Sequence, residues 1–315
     1  MASTSFREAL VLGLYTESPL HCGAESGVGY VDLPVQRERH TEYPVIPGST
    51  IKGRLKDETK PPKNGESTNG RLPAHLHREL FGAMDSKERT TTPGSVSFGD
   101  GVLAVFPVRS ADKPFRWVTC PFAVERVLRM LGEGRSLEPV PKDTAWVKTA
   151  DDDTSELLLE EIVLTAKDKP EYFETSGPLA RLLDLLPPDS QGFGYTRKMF
   201  LDRLTVVSDQ DFGELAKTGT EVITRIKLTG LGTTTDVPED HPEYDDLSED
   251  ERKGNLFVEE VVPPEALFAA AVRMGDLGHR DKLQDAVPPA IQLGGGETIG
   301  RGVTHVRVAR PGTED

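Results

Sequence analysis

The sequence has few cysteines and no long apolar run. Cys22 and Cys120 are its only two cysteines, too few for a disulfide framework or a zinc site built from thiolates. No stretch of about 18 apolar residues is present to span a bilayer. The opening residues, MASTSFREALVLGLY, lack a cationic stretch followed by a cleavable apolar core. These absences predict a cytoplasmic protein with no membrane partner.

Aromatic residues are also few, and acidic residues outnumber basic ones by 52 to 37. Aromatic side chains make up 6% of the 315 residues, and the formal net charge is −15. Such a charge gives no indication of a nucleic-acid partner, because phosphate binding depends on Lys and Arg. However, nine acidic residues and no Lys or Arg lie between 236 and 251, a run typical of a solvated loop. Composition therefore neither favours nor excludes RNA.

Short strand patterns and short helix patterns are interspersed along the chain. The apolar run Ala9 to Tyr15 predicts a buried strand, and residues 94–108 predict a strand pair that turns at 99–101. Helices are expected at 74–81, 120–131, 179–186 and 209–217. Residues 56–72 are polar and rich in Pro, Gly and Asn, which predicts a flexible insertion. No linker divides the chain, so residues 1–315 are expected to form one α+β domain.

Two further strand patterns flank the acidic run. Residues 221–228 (EVITRIKL) and 256–262 (LFVEEVV) both alternate between apolar and polar side chains. The simplest interpretation is a β-hairpin over approximately 221–262, with the acidic residues 236–251 at its tip.

Two segments have the composition of anion-binding sites. In the first, PGSTIKGRLK, a helix is expected to begin with Ser49 or Thr50 as its cap. Its free amides and cations could bind phosphate, although a capped surface helix explains the pattern equally well. The second, GGGETIGRG at 294–302, brings backbone amides within reach of a phosphate, although such glycines more often serve a turn. The candidate binding residues are Ser49, Thr50, Lys52, Arg54, Lys56, Gly294, Gly295, Gly296 and Arg301.

An irregular, glycine-rich loop at 21–34 carries two residues capable of chemistry, His21 and Asp32. Loops on a rigid scaffold often carry functional residues, but a lone Asp in a loop is more often a turn residue. No HExxH or CxxC spacing marks a metal site.

The segment DLPVQRERHT, beginning at Asp32, is similar to the backbone subunit of type III-B (Cmr) CRISPR RNA-guided complexes. That family belongs to the RAMP superfamily, in which PGSTIKG and GGGETIGRG are widespread. The segments LTVVSDQDF, TRIKL and GNLFVEEVVP also resemble the family, so the similarity runs in patches over most of the chain. The resemblance implies an α+β fold with an RRM-like (ferredoxin-like) palm, insertions and a β-hairpin thumb.

The resemblance also implies partners and an activity. Family members stack copies of themselves along a CRISPR guide RNA, beside other Cmr-type subunits, and cleave paired single-stranded target RNA at regular intervals. Cleavage uses a divalent metal ion, Mg²⁺ or Mn²⁺. Asp32 matches the key carboxylate and a possible metal ligand, while His21 and Glu259 match assisting residues. An aromatic family position corresponds to Val261 here, which departs from the pattern.

Three hypotheses follow. The chain is an endoribonuclease subunit of such a complex, a backbone subunit that binds guide RNA without cutting, or a stand-alone α+β metabolic enzyme. Asp32 favours the first, and Val261 gives weight to the second. The third requires a small-molecule pocket, for which the sequence contains no motif.

Overall fold

A computed structural model describes residues 7–24, 31–62, 70–85, 90–149 and 156–312. The helices in this part of the chain are α1 (Gly48–Glu58), α2 (Ala74–Phe81), α3 (Pro121–Met130), α4 (Pro170–Phe173), α5 (Gly194–Arg203), α6 (Asp209–Thr218) and α7 (Arg280–Ala286). The strands are β1 (Arg7–Thr16), β2 (Val45–Ile46), β3 (Ala83–Asp85), β4 (Thr90–Thr92), β5 (Val96–Phe98), β6 (Gly101–Val108), β7 (Arg116–Thr119), β8 (Thr144–Val147), β9 (Glu156–Leu159), β10 (Ile162–Asp168), β11 (Leu204–Val207), β12 (Glu221–Lys227), β13 (Asn255–Val261), β14 (Leu267–Met274), β15 (Ala290–Gln292) and β16 (Val303–Ala309). None of these helices is long and apolar enough to cross a bilayer.

The main structure is a 12-stranded mixed sheet. Its strand order is β15-β16-β1-β14-β6-β7-β11-β8-β10-β9, with β2 beside β6 and β5 beside β14. β1 lies antiparallel between β16 and β14, so that Leu12 is paired with Val308 on one side and Ala270 on the other. The α+β class expected from the sequence is confirmed, whereas the RRM-like arrangement stays a prediction.

The segment Ala9 to Tyr15 of β1 contains no charged side chain, because both faces of the sheet are covered there. Leu10, Leu12 and Leu14 belong to a core shared with α1, α2, α6 and α7. Val11 and Tyr15 belong to a second core, shared with α3, α5 and a 3₁₀ helix at Pro178–Leu185. Complete burial of one such leucine contributes about 1.5–3 kcal/mol.

The strand β14 was not expected from the sequence. Its residues, LFAAAVRM, are rich in alanine, which favours helix in isolation. In the fold, β14 pairs with β1 on one edge and with β5 and β6 on the other. Pairing along both edges overrides the local preference. Helices α5 and α7 were also not expected.

The predicted strand pair at 94–108 is wrong in its pairing. β5 and β6 do not pair with each other but lie in succession along the same edge of β14. Phe98 is paired with Val272, and Val102 with Ala269. Between them, the amide of Gly99 donates to the carbonyl of Ala271 at 2.8 Å. Residues 99–101, predicted as a turn, therefore connect β5 to β6 along the same edge of β14.

The start of α1 differs from the prediction. The helix begins at Gly48, after Pro47, and has no side-chain cap from Ser49 or Thr50. Instead, Oδ1 of Asp100 accepts a hydrogen bond from the Gly48 amide at 2.7 Å. The predicted hydroxyl cap is wrong because a carboxylate from the β5–β6 connection satisfies the first turn.

Two other boundaries also change. α1 continues to Glu58, so the first residues of the insertion predicted at 56–72 are helical. At its other end, Leu72 is buried and its amide donates to the Thr59 carbonyl at 3.1 Å. Residues 63–69 lie outside the described residues. The helix predicted at 179–186 is the 3₁₀ helix Pro178–Leu185.

β12 and β13 form a separate two-stranded antiparallel hairpin, which we call the thumb. The pairing runs from Glu221 with Val261 to Lys227 with Asn255. Its acidic tip folds into a small lobe. There the Val237 amide donates to the Arg252 carbonyl at 2.8 Å, and the Arg252 guanidinium lies 4.1 Å from the centre of the Tyr244 ring.

Candidate nucleic-acid interface

The two segments predicted to bind phosphate lie side by side. α1 packs beside β15, which leads directly into the glycine-rich loop at 294–302. Arg54 of α1 forms an ion pair with Glu297 of this loop at 3.5 Å and with Glu58 of its own helix at 2.9 Å. The chain thereby brings together two segments that are more than 200 residues apart.

The predicted cations of α1 border this junction. Nζ of Lys52 lies 3.5 Å from the Val96 carbonyl, and Nζ of Lys56 donates to the Gly82 carbonyl at 3.2 Å. Ser49 is exposed on the first turn, and Thr50 is partly buried. Both lysines are also partly buried, and the contacts made by their ammonium groups are to backbone carbonyls. Their positive charge is therefore available to an anion at the surface.

The glycines of the loop permit a close approach to His21. The Gly295 amide donates to the His21 carbonyl at 2.9 Å. Gly294 has φ +72°, and a Cβ at this position would lie 2.1 Å from the same carbonyl oxygen. Gly296 has φ +79°, and a Cβ at this position would lie 3.1 Å from Cδ of Arg301. Gly294 and Gly295 thus allow the backbone of the loop to contact the backbone of His21.

His21 is held in one orientation by the thumb. Its side chain is largely buried, and Nδ1 lies 2.7 Å from the backbone carbonyl of Glu260. Because a carbonyl only accepts, Nδ1 carries the hydrogen. In the neutral ring, Nε2 is then the acceptor, which is the state required of a general base.

Glu259 lies between the thumb and the glycine-rich loop. It is 3% exposed, and its carboxylate forms ion pairs with Arg225 at 3.2 Å and with Arg301. The same carboxylate lies 3.8 Å from Nδ1 of His21. Because Glu259 is buried and held by two arginines, its carboxylate is well placed to orient His21. The ion pair with Glu259 also partly neutralises the charge of Arg301.

Asp32 is exposed at the edge of the thumb. Its Oδ2 accepts a hydrogen bond from the Val258 amide at 2.7 Å, and its own amide donates to the Val258 carbonyl at 3.1 Å. Leu33 continues this contact with a parallel bridge to Glu259. Asp32 therefore lies beside Val258 of β13, the residue that precedes Glu259. Residues 25–30 of this loop lie outside the described residues.

Val261, at the position that is aromatic in the family, is not available to a ligand. Val261 is completely buried, one residue before the bridge that joins Leu20 to Val262. A larger ring at this position would enter the core instead of facing the surface.

The residues that sequence reasoning missed are Glu260 and its partners. Glu260 accepts hydrogen bonds from the Val35 amide at 2.9 Å, from Thr220 Oγ1 at 2.7 Å and from Arg37 Nη2 at 2.5 Å. Burial alone would raise the pKa of Glu260, but these hydrogen bonds hold it below the usual value. Two adjacent acids in an otherwise apolar strand were a signal of this arrangement, since neighbouring strand residues face opposite sides.

The side chains at this surface offer few ligands to the expected divalent metal ion. In the described ranges, no group of three or more His, Cys, Asp or Glu side chains could hold a metal. Asp32 is an exposed carboxylate and fits as a single ligand. Mg²⁺ commonly keeps several waters and binds one or two carboxylates together with substrate phosphates. The donor set therefore fits an ion that is held largely by RNA.

Comparisons with known proteins identify the family of this chain. The model of the RAMP superfamily matches residues 14–305. The CRISPR system Cmr endoribonuclease Cmr4 of Pyrococcus furiosus is 27% identical over 313 residues, which cover 95% of each chain. The crystal structure of oligomeric Cmr4 from P. furiosus matches with a TM-score of 0.67 and 24% identity, over 97% of this chain and 99% of that one.

A cryo-EM structure of the type III-B Cmr-beta complex bound to cognate target RNA also contains a similar chain. It matches with a TM-score of 0.63 and 17% identity, over 96% of this chain and 98% of the other. The resemblance drawn from the sequence motifs is confirmed. This chain belongs to the RAMP superfamily.

Proposed function

We propose that this chain is a backbone subunit of a type III-B CRISPR effector complex, which binds guide RNA and cleaves the paired target RNA. The similarity to Cmr4 supports this proposal. One observation carries it: the cationic helix α1, the glycine-rich loop, His21 and Asp32 form a continuous series of contacts. Its links are Arg54 with Glu297, Gly295 with His21, His21 with Glu260 of β13, and Asp32 with Val258 of β13.

In this proposal, α1 and the glycine-rich loop bind the guide backbone through amides and cations. Base pairing to the guide selects the target sequence, since the described residues contain no base-reading set of side chains. In the cytoplasm, further copies of this chain and other Cmr-type subunits extend the surface formed by α1 and the glycine-rich loop along the guide. The acidic lobe of the thumb is expected to point away from the phosphates, because like charges repel.

Cleavage is proposed at the edge of the thumb. A target 2′-hydroxyl attacks the adjacent phosphorus, and the bond to the 5′ oxygen of the next nucleotide breaks. The departing 5′ oxygen takes a proton from water, and the products are a 2′,3′-cyclic phosphate and a 5′-hydroxyl. In this proposal, His21 Nε2 accepts the 2′-hydroxyl proton, and Glu259 positions His21; the contacts of His21 Nδ1 with the Glu260 carbonyl and the Glu259 carboxylate support these roles. A divalent ion bound by Asp32 and RNA would supply charge stabilisation.

The test is target cleavage by the reconstituted complex carrying Asp32→Asn. This variant removes the negative charge but keeps an oxygen acceptor for the Val258 amide. We expect cleavage to fall by about a hundredfold or more, with guide and target binding retained. The exposed Asp240→Asn, in the acidic lobe, is the matched control and should cleave normally. Fragments of unchanged yield and spacing from Asp32→Asn would favour the second candidate, a backbone subunit that does not cut. The buried Val261 is the observation in favour of that candidate.

A further inference from the structure

Glu260 contacts both parts of the loop that carries the two proposed reacting residues. Its backbone carbonyl accepts the hydrogen bond from His21, and its backbone amide donates to the Leu33 carbonyl at 2.9 Å. Its carboxylate accepts from the Val35 amide at 2.9 Å. Three different groups of one residue thus contact the loop both before residue 25 and after residue 30, with Asp32 immediately before Leu33.

The same carboxylate is anchored to the body of the protein through Arg37. Nη2 of Arg37 lies 2.5 Å from Oε1 of Glu260, and Thr220 donates to the same oxygen. The guanidinium also donates to the carbonyl of Ala216 at 3.1 Å and contacts that of Lys217 at 3.4 Å. These carbonyls end α6, where a cation is favoured. The position of the loop is therefore set relative to α6 as well as to the thumb.

Glu259 and Glu260 have different partners. Glu259 faces Arg225 and Arg301, on the side of the glycine-rich loop. Glu260 faces Arg37 and Thr220, on the side of α6. Alternation along a strand explains this separation. A defect in Glu260 should therefore leave the guide-binding side intact.

We propose that Glu260 is a positioning residue that places Asp32 and His21 for target cleavage, with Arg37 as its anchor. The inference rests on the proposed nuclease function. Glu260→Gln removes the negative charge beside the partly buried Arg37 and leaves one acceptor oxygen in place of two. With that oxygen facing Arg37 and Thr220, an NH₂ donor faces the Val35 amide, which loses its acceptor. The carboxylate of Asp32 would then shift relative to the scissile phosphate, and displacements of about 1 Å can cost roughly a hundredfold in rate.

The test compares Glu260→Gln with Glu38→Gln in the reconstituted complex. Glu38 is a matched control, because it also lies in the segment after Asp32 and forms an ion pair of similar burial, with Arg126 at 2.6 Å. Among the described residues, its side chain is hydrogen-bonded to Thr41 and Arg126, and not to the loop that carries His21 and Asp32. Both variants lose one buried charge, so both carry a comparable loss of stability.

We expect Glu260→Gln to reduce the cleavage rate at saturating target by about tenfold to a hundredfold, with the target dissociation constant unchanged. Glu38→Gln should cleave at the wild-type rate. A wild-type rate for Glu260→Gln would overturn the proposal, as would an equal loss of rate in Glu38→Gln. If Asp32→Asn abolishes cleavage while Glu260→Gln does not, only the positioning role fails.

Hydrogen exchange on the isolated chain gives a second readout that needs no cleavage. Exchange at the Val35 amide should accelerate in Glu260→Gln and stay at the wild-type rate in Glu38→Gln. If the complex with Asp32→Asn cleaves normally, the proposed nuclease function is wrong. The exchange rate at Val35 still shows in that case whether Glu260 holds the loop. Unchanged exchange at Val35 in Glu260→Gln would overturn that part as well.

Discussion

Asp32 Oδ2 accepts a hydrogen bond from the backbone amide of Val258 at 2.7 Å, although the two residues are 226 positions apart in the sequence. The amide of Asp32 returns a hydrogen bond to the Val258 carbonyl at 3.1 Å. The exposed carboxylate is therefore attached to the thumb, and its direction depends on β13.

The Asp32–Val258 contact predicts different effects for two substitutions. Asp32→Ala removes the acceptor and should destabilise this edge by about 1 kcal/mol. Asp32→Asn keeps an acceptor and should have the stability of the wild type. Urea unfolding and exchange at the Val258 amide measure the difference. Identical exchange at Val258 in both variants would contradict the prediction.

Gly294→Ala should be more damaging than Gly300→Ala. Both glycines have positive φ, +72° and +77°, and an alanine there costs about 1–2 kcal/mol in backbone strain. At Gly294 the added Cβ also collides with the His21 carbonyl, which adds about 1–3 kcal/mol of overpacking. No atom lies within 4 Å of the added Cβ at Gly300. Urea unfolding should rank the variants in this order, and equal losses would show that the His21 contact is unimportant.

Asp100→Ala should weaken the start of α1. It removes the acceptor for the Gly48 amide, and loss of such a cap costs about 0.5–2 kcal/mol. Asp100→Asn keeps an acceptor and is the control. Because α1 is proposed to bind the guide, we also expect Asp100→Ala to bind guide RNA more weakly in a filter-binding assay. The prediction fails if the two variants have the same stability.

The Glu38–Arg126 ion pair predicts a dependence of stability on pH. Burial tends to raise the pKa of Glu38, but hydrogen bonds from Arg126 and Thr41 hold it below its ordinary value of 4.5. A lowered folded-state pKa stabilises the protein above the unfolded-state value, and this contribution is lost as the pH falls through the folded-state pKa. Glu38→Gln should therefore lose about 1.5–3 kcal/mol at pH 7 and less below pH 4.5. Urea unfolding at several pH values measures this, and a loss that does not vary with pH would contradict it.

Local patterns predicted many of the elements well. The helix expected at 74–81 matches α2, and that at 120–131 is α3 with Cys120 as its cap. The strands of the thumb lie where alternation placed them. These elements are specified by nearby side chains, through apolar periodicity and proline or polar caps.

Contacts between distant segments were not predictable in this way. β14 is a strand only because β1, β5 and β6 pair with it. The pairing of Glu260 with Arg37 joins residues 223 positions apart. Arg37 was noticed as part of a motif, but its contact with the end of α6 depends on the tertiary fold. The approach of α1 to the glycine-rich loop likewise depends on the tertiary fold, because neither local pattern specifies the position of the other segment.

The placement of β1 has a consequence for synthesis on the ribosome. Its two strand neighbours, β14 and β16, are both translated after residue 266. Until then, the apolar segment Ala9 to Tyr15 lacks the partners that cover its backbone in the finished sheet. Nascent chains that expose such segments aggregate readily. Production of this protein should therefore respond to chaperone supply and to slower translation at lower temperature.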